Sequence, residues 1–135
     1  MMYECDFVGL PTKMMQLSEV RTVLEHLHQT RLSLASRPQW AANAWINQMI
    51  FRLSTCCGLR RCELQRVRLN DFVLGGPRPI LRVRKEITKG QRRGRVVPLW
   101  WDQGTYADIE QFIQWRRMHR PEDAVVIYND YYPKQ

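Results

Sequence analysis

The residues best able to do chemistry lie between Arg60 and Arg95. Twelve of them are basic (Arg60, Arg61, Arg66, Arg68, Arg78, Arg82, Arg84, Lys85, Lys89, Arg92, Arg93, Arg95) and three are acidic (Glu63, Asp71, Glu86). This stretch carries +9, the rest of the chain sums to −1, and the formal net charge is +8. Arginine supplies 17 of the 21 basic residues. Its planar fork meets a phosphate with two parallel hydrogen bonds, where lysine offers a point charge. Such residues bind polyanions, with nucleic acid ahead of an anionic membrane surface. A solvated basic face is the plainer alternative, and charge alone names no reaction.

Elements must position these cations. The chain has 135 residues, 44% of them apolar, enough for one domain with a sizeable core. The start, MMYECDFVGL, lacks a basic n-region followed by an apolar run, so no signal peptide is visible. No run is long enough to span a membrane. The four cysteines (Cys5, Cys56, Cys57, Cys62) have no zinc-ligand spacing and read as reduced, buried hydrophobes. A cytoplasmic protein is expected, nucleoid-associated if bacterial.

Ser18 is a candidate cap for a helix with Val20, Val23, Leu24 and Leu27 on one face. Ser36–Gln39 has the form of a capping box, with Pro38 in the first turn. From there a helix should run to about Cys57, its apolar stripe formed by Ala42, Ile46, Met49, Ile50 and Leu53, and end at Gly58. A short helix restarts near Arg60 and turns Leu64 and Val67 inward. Asn70-Asp71 and Gly75-Gly76-Pro77 mark a loop. Residues 79–99 then alternate as a β-hairpin with one wet, basic face and a glycine-bracketed tip over 88–94. A last helix spans 103–118, with Tyr106, Ile109, Phe112 and Ile113 inward, followed by an extended segment at Ala124–Tyr128. Trp100 and Trp101 read as packing aromatics, and Met14 and Met15 as gap-fillers. The fold class is α+β, mainly helical with a small antiparallel sheet.

Four stretches resemble one family. Phe51–Leu64, with Gly58-Leu59-Arg60-Arg61-Cys62-Glu63-Leu64, resembles the first conserved box of the tyrosine recombinases, the phage integrase family. Gln65–Phe72 is similar to the acidic loop that follows it. Arg84–Leu99, with Lys89-Gly90 and Val97-Pro98-Leu99, resembles the family's hairpin. Leu17-Ser18-Glu19-Val20 is like the start of its catalytic domain. The resemblance divides the chain into a lead-in (1–16), a partial catalytic domain (17–128) and a tail (129–135).

It implies DNA strand breakage and rejoining by a tyrosine nucleophile, as in DNA integration by mobile elements, with no cofactor and no metal. Arg60 would bind the scissile phosphate, and Lys89 would protonate the leaving 5′-oxygen, with Lys85 as fallback. Glu63 would order the site or act as a structural carboxylate paired with Arg60. Arg61, Lys85, Arg92, Arg93 and Arg95 would contact the DNA backbone.

One departure matters. The family's His-x-x-Arg box follows the hairpin. Here the spacing occurs only as His28-Gln29-Thr30-Arg31, ahead of the first box, and reads as a surface helical pair. Tyr128, Tyr131 and Tyr132 have no second arginine box before them and are not equated with the nucleophile. The expectation is a truncated or split recombinase that does not complete cleavage alone. Its partners would be double-stranded DNA and a complementing recombinase chain or further copies of itself on DNA. The alternative is a non-enzymatic DNA-binding or regulatory module of recombinase origin.

Overall fold

A computed structural model describes residues 15–128. The lead-in to residue 14 and the tail 129–135, with Cys5, Met14, Tyr131 and Tyr132, lie outside the described residues. The helices are α1 (Leu17–Ser33), α2 (Pro38–Cys56), α3 (Arg61–Arg66) and α4 (Gln103–Met118). The strands are β1 (Phe72–Val73), β2 (Ile80–Val83) and β3 (Arg95–Pro98), in one antiparallel sheet of order β1-β2-β3. The architecture is α+β, as expected. No described helix is long and apolar enough to cross a membrane.

Helix α2 is the central element. Trp45, Met49 and Leu53 point from it into a core that also takes Ile109, Phe112 and Ile113 of α4. Leu81 and Val83 of β2, Phe72 of β1 and Val126 join that core. Trp45 meets Phe112 edge-on, with ring centroids 5.3 Å apart. Helix α1 packs along α2 and buries no residue completely. Its Arg31 guanidinium stacks on Trp45 at 4.0 Å and hydrogen-bonds His28 and Gln48. His28 and Arg31 are therefore half-buried interhelical residues rather than a surface pair.

The two predicted caps move. Helix α1 begins one residue before Ser18, because Gln16 caps it and the Glu19 carboxylate returns to the Gln16 N–H at 2.7 Å. Arg37, not Ser36, precedes α2, and Pro38 takes the first position, where a missing N–H costs nothing. Asp102 caps α4 by accepting from the Gly104 N–H and the Thr105 hydroxyl. Met15, Trp100 and Trp101 are exposed, not packed.

The hairpin strands are shorter than the alternation suggested. Strand β2 stops at Val83 because Lys85–Ile87 coil into a 3-10 turn that buries Ile87. Gly94 lies flat against that turn. A Cβ there would meet the Val83 carbonyl oxygen at 2.7 Å, so only glycine fits. The predicted loop over 70–77 holds a 3-10 turn (Leu69–Asp71) and strand β1.

Arg116 ties the C-terminal segment to this frame. It lies on the apolar stripe of α4, four residues after Phe112, and is fully buried. All five of its N–H donors are used by backbone carbonyls, those of His119, Arg120, Asp123, Val125 and Val126. Burial pulls its pKa below the usual arginine value. The segment it holds pairs with the chain after α3: Leu69 N–H donates to Ala124 and Val126 N–H to Val67. Replacing Arg116 by Met orphans five carbonyl acceptors, all buried or partly buried. Urea denaturation of R116M is expected to show a loss of at least ~3 kcal/mol, and unchanged stability would refute this role.

Candidate nucleic-acid interface

The arginine box sits where α2 hands over to α3. Gly58 takes φ +70°, a left-handed turn that ends α2. Leu59 then plugs into the core, and its N–H returns to the Leu53 carbonyl at 3.1 Å. With Leu59 anchored inward, the next residue must face out. Arg60 is extended (φ −83°, ψ 163°), exposed, and caps α3.

Glu63 secures this turn from beneath. It is only 1% exposed. Its Oε1 accepts the Arg60 backbone N–H at 2.9 Å. Its guanidinium partner is Arg95 rather than Arg60: Arg95 Nη1 meets Oε2 at 2.7 Å and Nη2 meets Oε1 at 2.8 Å. Arg95 Nη2 also donates to the Gly58 carbonyl at 3.1 Å. One side chain of β3 thus grips the chain two residues before Arg60 and three residues after it.

Sheet register explains why Arg95 differs from its basic neighbours. It stands opposite Val83, in phase with Val97, which faces Leu81. These positions look toward the helices, whereas Arg82 and Val96 look away. Arg95 is committed to Glu63, so its charge is largely balanced. The Arg95 hydrogen bond holds the Glu63 carboxyl below the usual range, against the opposing effect of burial, and the pair raises Arg95 in turn.

The same device recurs eight residues on. Asp71 Oδ2 accepts the Arg68 N–H at 2.9 Å, and Asp71 receives Arg84 at 2.7 and 3.1 Å. In both cases Arg-x-x-acid forms a turn whose buried carboxylate takes an arginine from the hairpin. The leading arginines, Arg60 and Arg68, are left exposed.

The remaining candidates lie on or beside the hairpin. The turn bearing Lys85 packs on α3, the helix that Arg60 caps. Lys89 stands farther out, between buried Thr88 and Gly90 (φ +83°). Lys85, Lys89, Arg92, Arg93 and Arg61 are all exposed. The fold therefore brings Arg60, Glu63 and Arg95 together with the Lys85 turn, and carries Lys89, Arg92 and Arg93 at the tip.

Several committed polar groups carry no motif that marks them in the sequence. Arg84 is one. Gln48, Arg52 and Asp108 are others, joining α2 to α4 through Asp108 Oδ2. Arg52 pairs with Asp108 at 2.5 Å. Burial alone would lower the Arg52 pKa, but the hydrogen bonds with Asp108 and Cys56 raise it. The available signal was position: Gln48 and Arg52 follow Trp45 by three and seven residues, on the buried stripe. A cleft of about 690 Å³ beside them is lined by His28, Arg52, Cys56 and Asp108. Its strongest charges are already paired. Burial pushes the Cys57 thiol up to about 12. Among the described residues no cluster of His, Cys, Asp and Glu is placed to hold a metal ion. Compared with family models, curated proteins and solved structures, the chain matches none.

A carboxyl with a lowered folded-state pKa stabilises the protein above its ordinary range and loses that contribution as pH falls through the lowered value. Stability should drop as pH falls below about 4, and Glu63→Gln should flatten that drop while lowering stability at neutral pH. Arg95→Ala strands a buried carboxylate. It is expected to cost about 3 kcal/mol, near the lower end for a broken buried pair because Arg95 is partly solvated. Arg95→Lys should restore only part. Urea titrations across pH check all three, and a wild-type-like acid limb in Glu63→Gln would rule the pair out as its cause.

Proposed function

We propose that this chain is a duplex-DNA-binding protein of integrase type, equivalent to the phosphate-gripping half of a tyrosine recombinase catalytic domain. It binds DNA for site-specific recombination and does not cut by itself. One observation carries the reading. The Arg95–Glu63 pair bolts the hairpin onto the arginine box and leaves Arg60 exposed at the junction. A phosphate gripped there by Arg60 would have hairpin lysines as neighbouring cations, which is the juxtaposition strand transfer needs. In this reading Arg60 holds the phosphate, Lys89 or Lys85 supplies the proton to the leaving oxygen, and Arg61, Arg92 and Arg93 contact the backbone. Arg95 acts through the position of Arg60.

The second reading, a non-enzymatic DNA-binding or regulatory module, is favoured by Arg116. This arginine follows the hairpin, but all its donors are bound to backbone and none is free for a phosphate. Completion by a second recombinase chain or by copies of this one belongs to the first reading alone.

Anisotropy with a labelled duplex should show affinity falling steeply with salt. Arg60→Ala and Lys89→Ala are each expected to make the slope shallower by about 1. Comparing Lys85→Ala with Lys89→Ala identifies the lysine nearer the phosphate. Salt-independent binding would refute the DNA reading. On a nicked suicide duplex this chain should leave no covalent adduct, and a phosphotyrosyl band would show that it cuts unaided.

A further inference from the structure

We infer that the outer face of the sheet is a binding surface for single-stranded nucleic acid, with Trp100 as its stacking platform and Arg78 and Arg82 as its phosphate contacts. This goes beyond the duplex reading and uses none of its residues.

The face follows from the register. Ile80 pairs with Pro98 and Arg82 with Val96. Alternation carries the outward phase to Arg78 at one strand's start and to Trp100 beyond the other's end. The intervening Pro79, Leu81 and Leu99 are buried. The Leu99 N–H bonds the Pro79 carbonyl at 3.0 Å, which continues the pairing and sets Arg78 beside Trp100. The Arg78 guanidinium lies 5.8 Å from the Trp100 ring centroid. Three cross-strand rows result: Arg78 with Trp100, Ile80 with Pro98, Arg82 with Val96. Val96 is 56% exposed and Trp100 46%, high values for large apolar side chains on a sheet.

The chemistry of the six positions selects the partner. They hold two guanidinium groups, one indole and no carboxylate, so the face suits a polyanion with an apolar component. A second copy would set Arg78 and Arg82 against like charges. Pro98 on the edge strand, lacking an N–H, disfavours addition of a peptide strand. A duplex keeps its base faces stacked internally and gains nothing from an indole. An unpaired base has a free π-face to lay on Trp100, with its phosphates in reach of the flanking arginines. Recombination and repair intermediates expose such strands.

Anisotropy with a labelled oligothymidylate, alongside a duplex, tests this. Trp100→Ala should weaken oligothymidylate binding about tenfold or more while leaving duplex affinity within about twofold. Trp100→Phe should retain most of it, and Arg82→Ala should weaken it with a shallower salt slope. If circular dichroism shows that Trp100→Ala does not fold, Val96→Glu puts a repelling charge on the same face and should give the same selective loss. Wild-type-like oligothymidylate binding by these folded variants would overturn the proposal. So would equal losses on both DNAs, or displacement of the oligonucleotide by polyglutamate as readily as by unlabelled strand.

Discussion

A carboxylate removed from water must be paired, and Glu63 obeys that rule in a way that organises the molecule. At 1% exposure it would not stay ionised without a cation held against it. Arg95 supplies the cation in fork-on-fork geometry. The bond joins a strand to a helix start that precedes it by 32 residues, and its strict geometry leaves little freedom in how the hairpin sits. The Asp71–Arg84 pair applies the same constraint one turn away. Two bidentate pairs hold a short hairpin more firmly than its four-residue strands would alone.

Arginine here divides into two populations by phase. Residues on the buried stripe of a helix or the inner face of the sheet (Arg52, Arg116, Arg95) are consumed internally, by carboxylates or by carbonyls. Residues out of phase, or at helix starts and turn tips, stand in solvent, with the exception of Arg84, which bends back from the turn after β2 to Asp71. The same side chain therefore serves as framework or as exposed surface charge, and 3.6-residue and two-residue periodicity largely decides which. Arg116 is the extreme case. It organises residues 119–126, and these in turn pair with the chain leading from α3 to Asp71. Strain at the end of α4 would reach the second carboxylate through backbone hydrogen bonds alone.

Much of this was readable in advance. Helix α4 begins and ends where its apolar spacing and Pro121 put it. Gly58 ends α2 because a left-handed residue was required there and glycine supplies it. What escaped was whatever depends on partners distant in sequence. Strand β1 has two residues and exists only through β2. Arg92, Arg93 and Arg95 look alike until pairing with Val83 turns the last one inward. Gln16 displaced Ser18 as a cap because Glu19 could reach back to it, and the two residues' types alone favour the serine. Trp100 looks like core by composition, yet it directly follows a buried leucine in an alternating segment, and so points out.

Internal pairing also sharpens the charge. Glu63 and Asp71 are both neutralised by hairpin arginines, so the basic stretch keeps its net +9 but shows only Glu86 as an exposed acid among eleven exposed cations, Arg95 included. Glu86 itself lies 3.8 Å from Arg84. A surface of this kind repels itself, and bound counterions are its resting state. A polyanion that displaces them gains entropy and relieves the repulsion in one step. Burying the acids therefore serves two ends that need not have coincided. It rigidifies the hairpin and clears the outward side of the charges that would oppose a phosphate backbone.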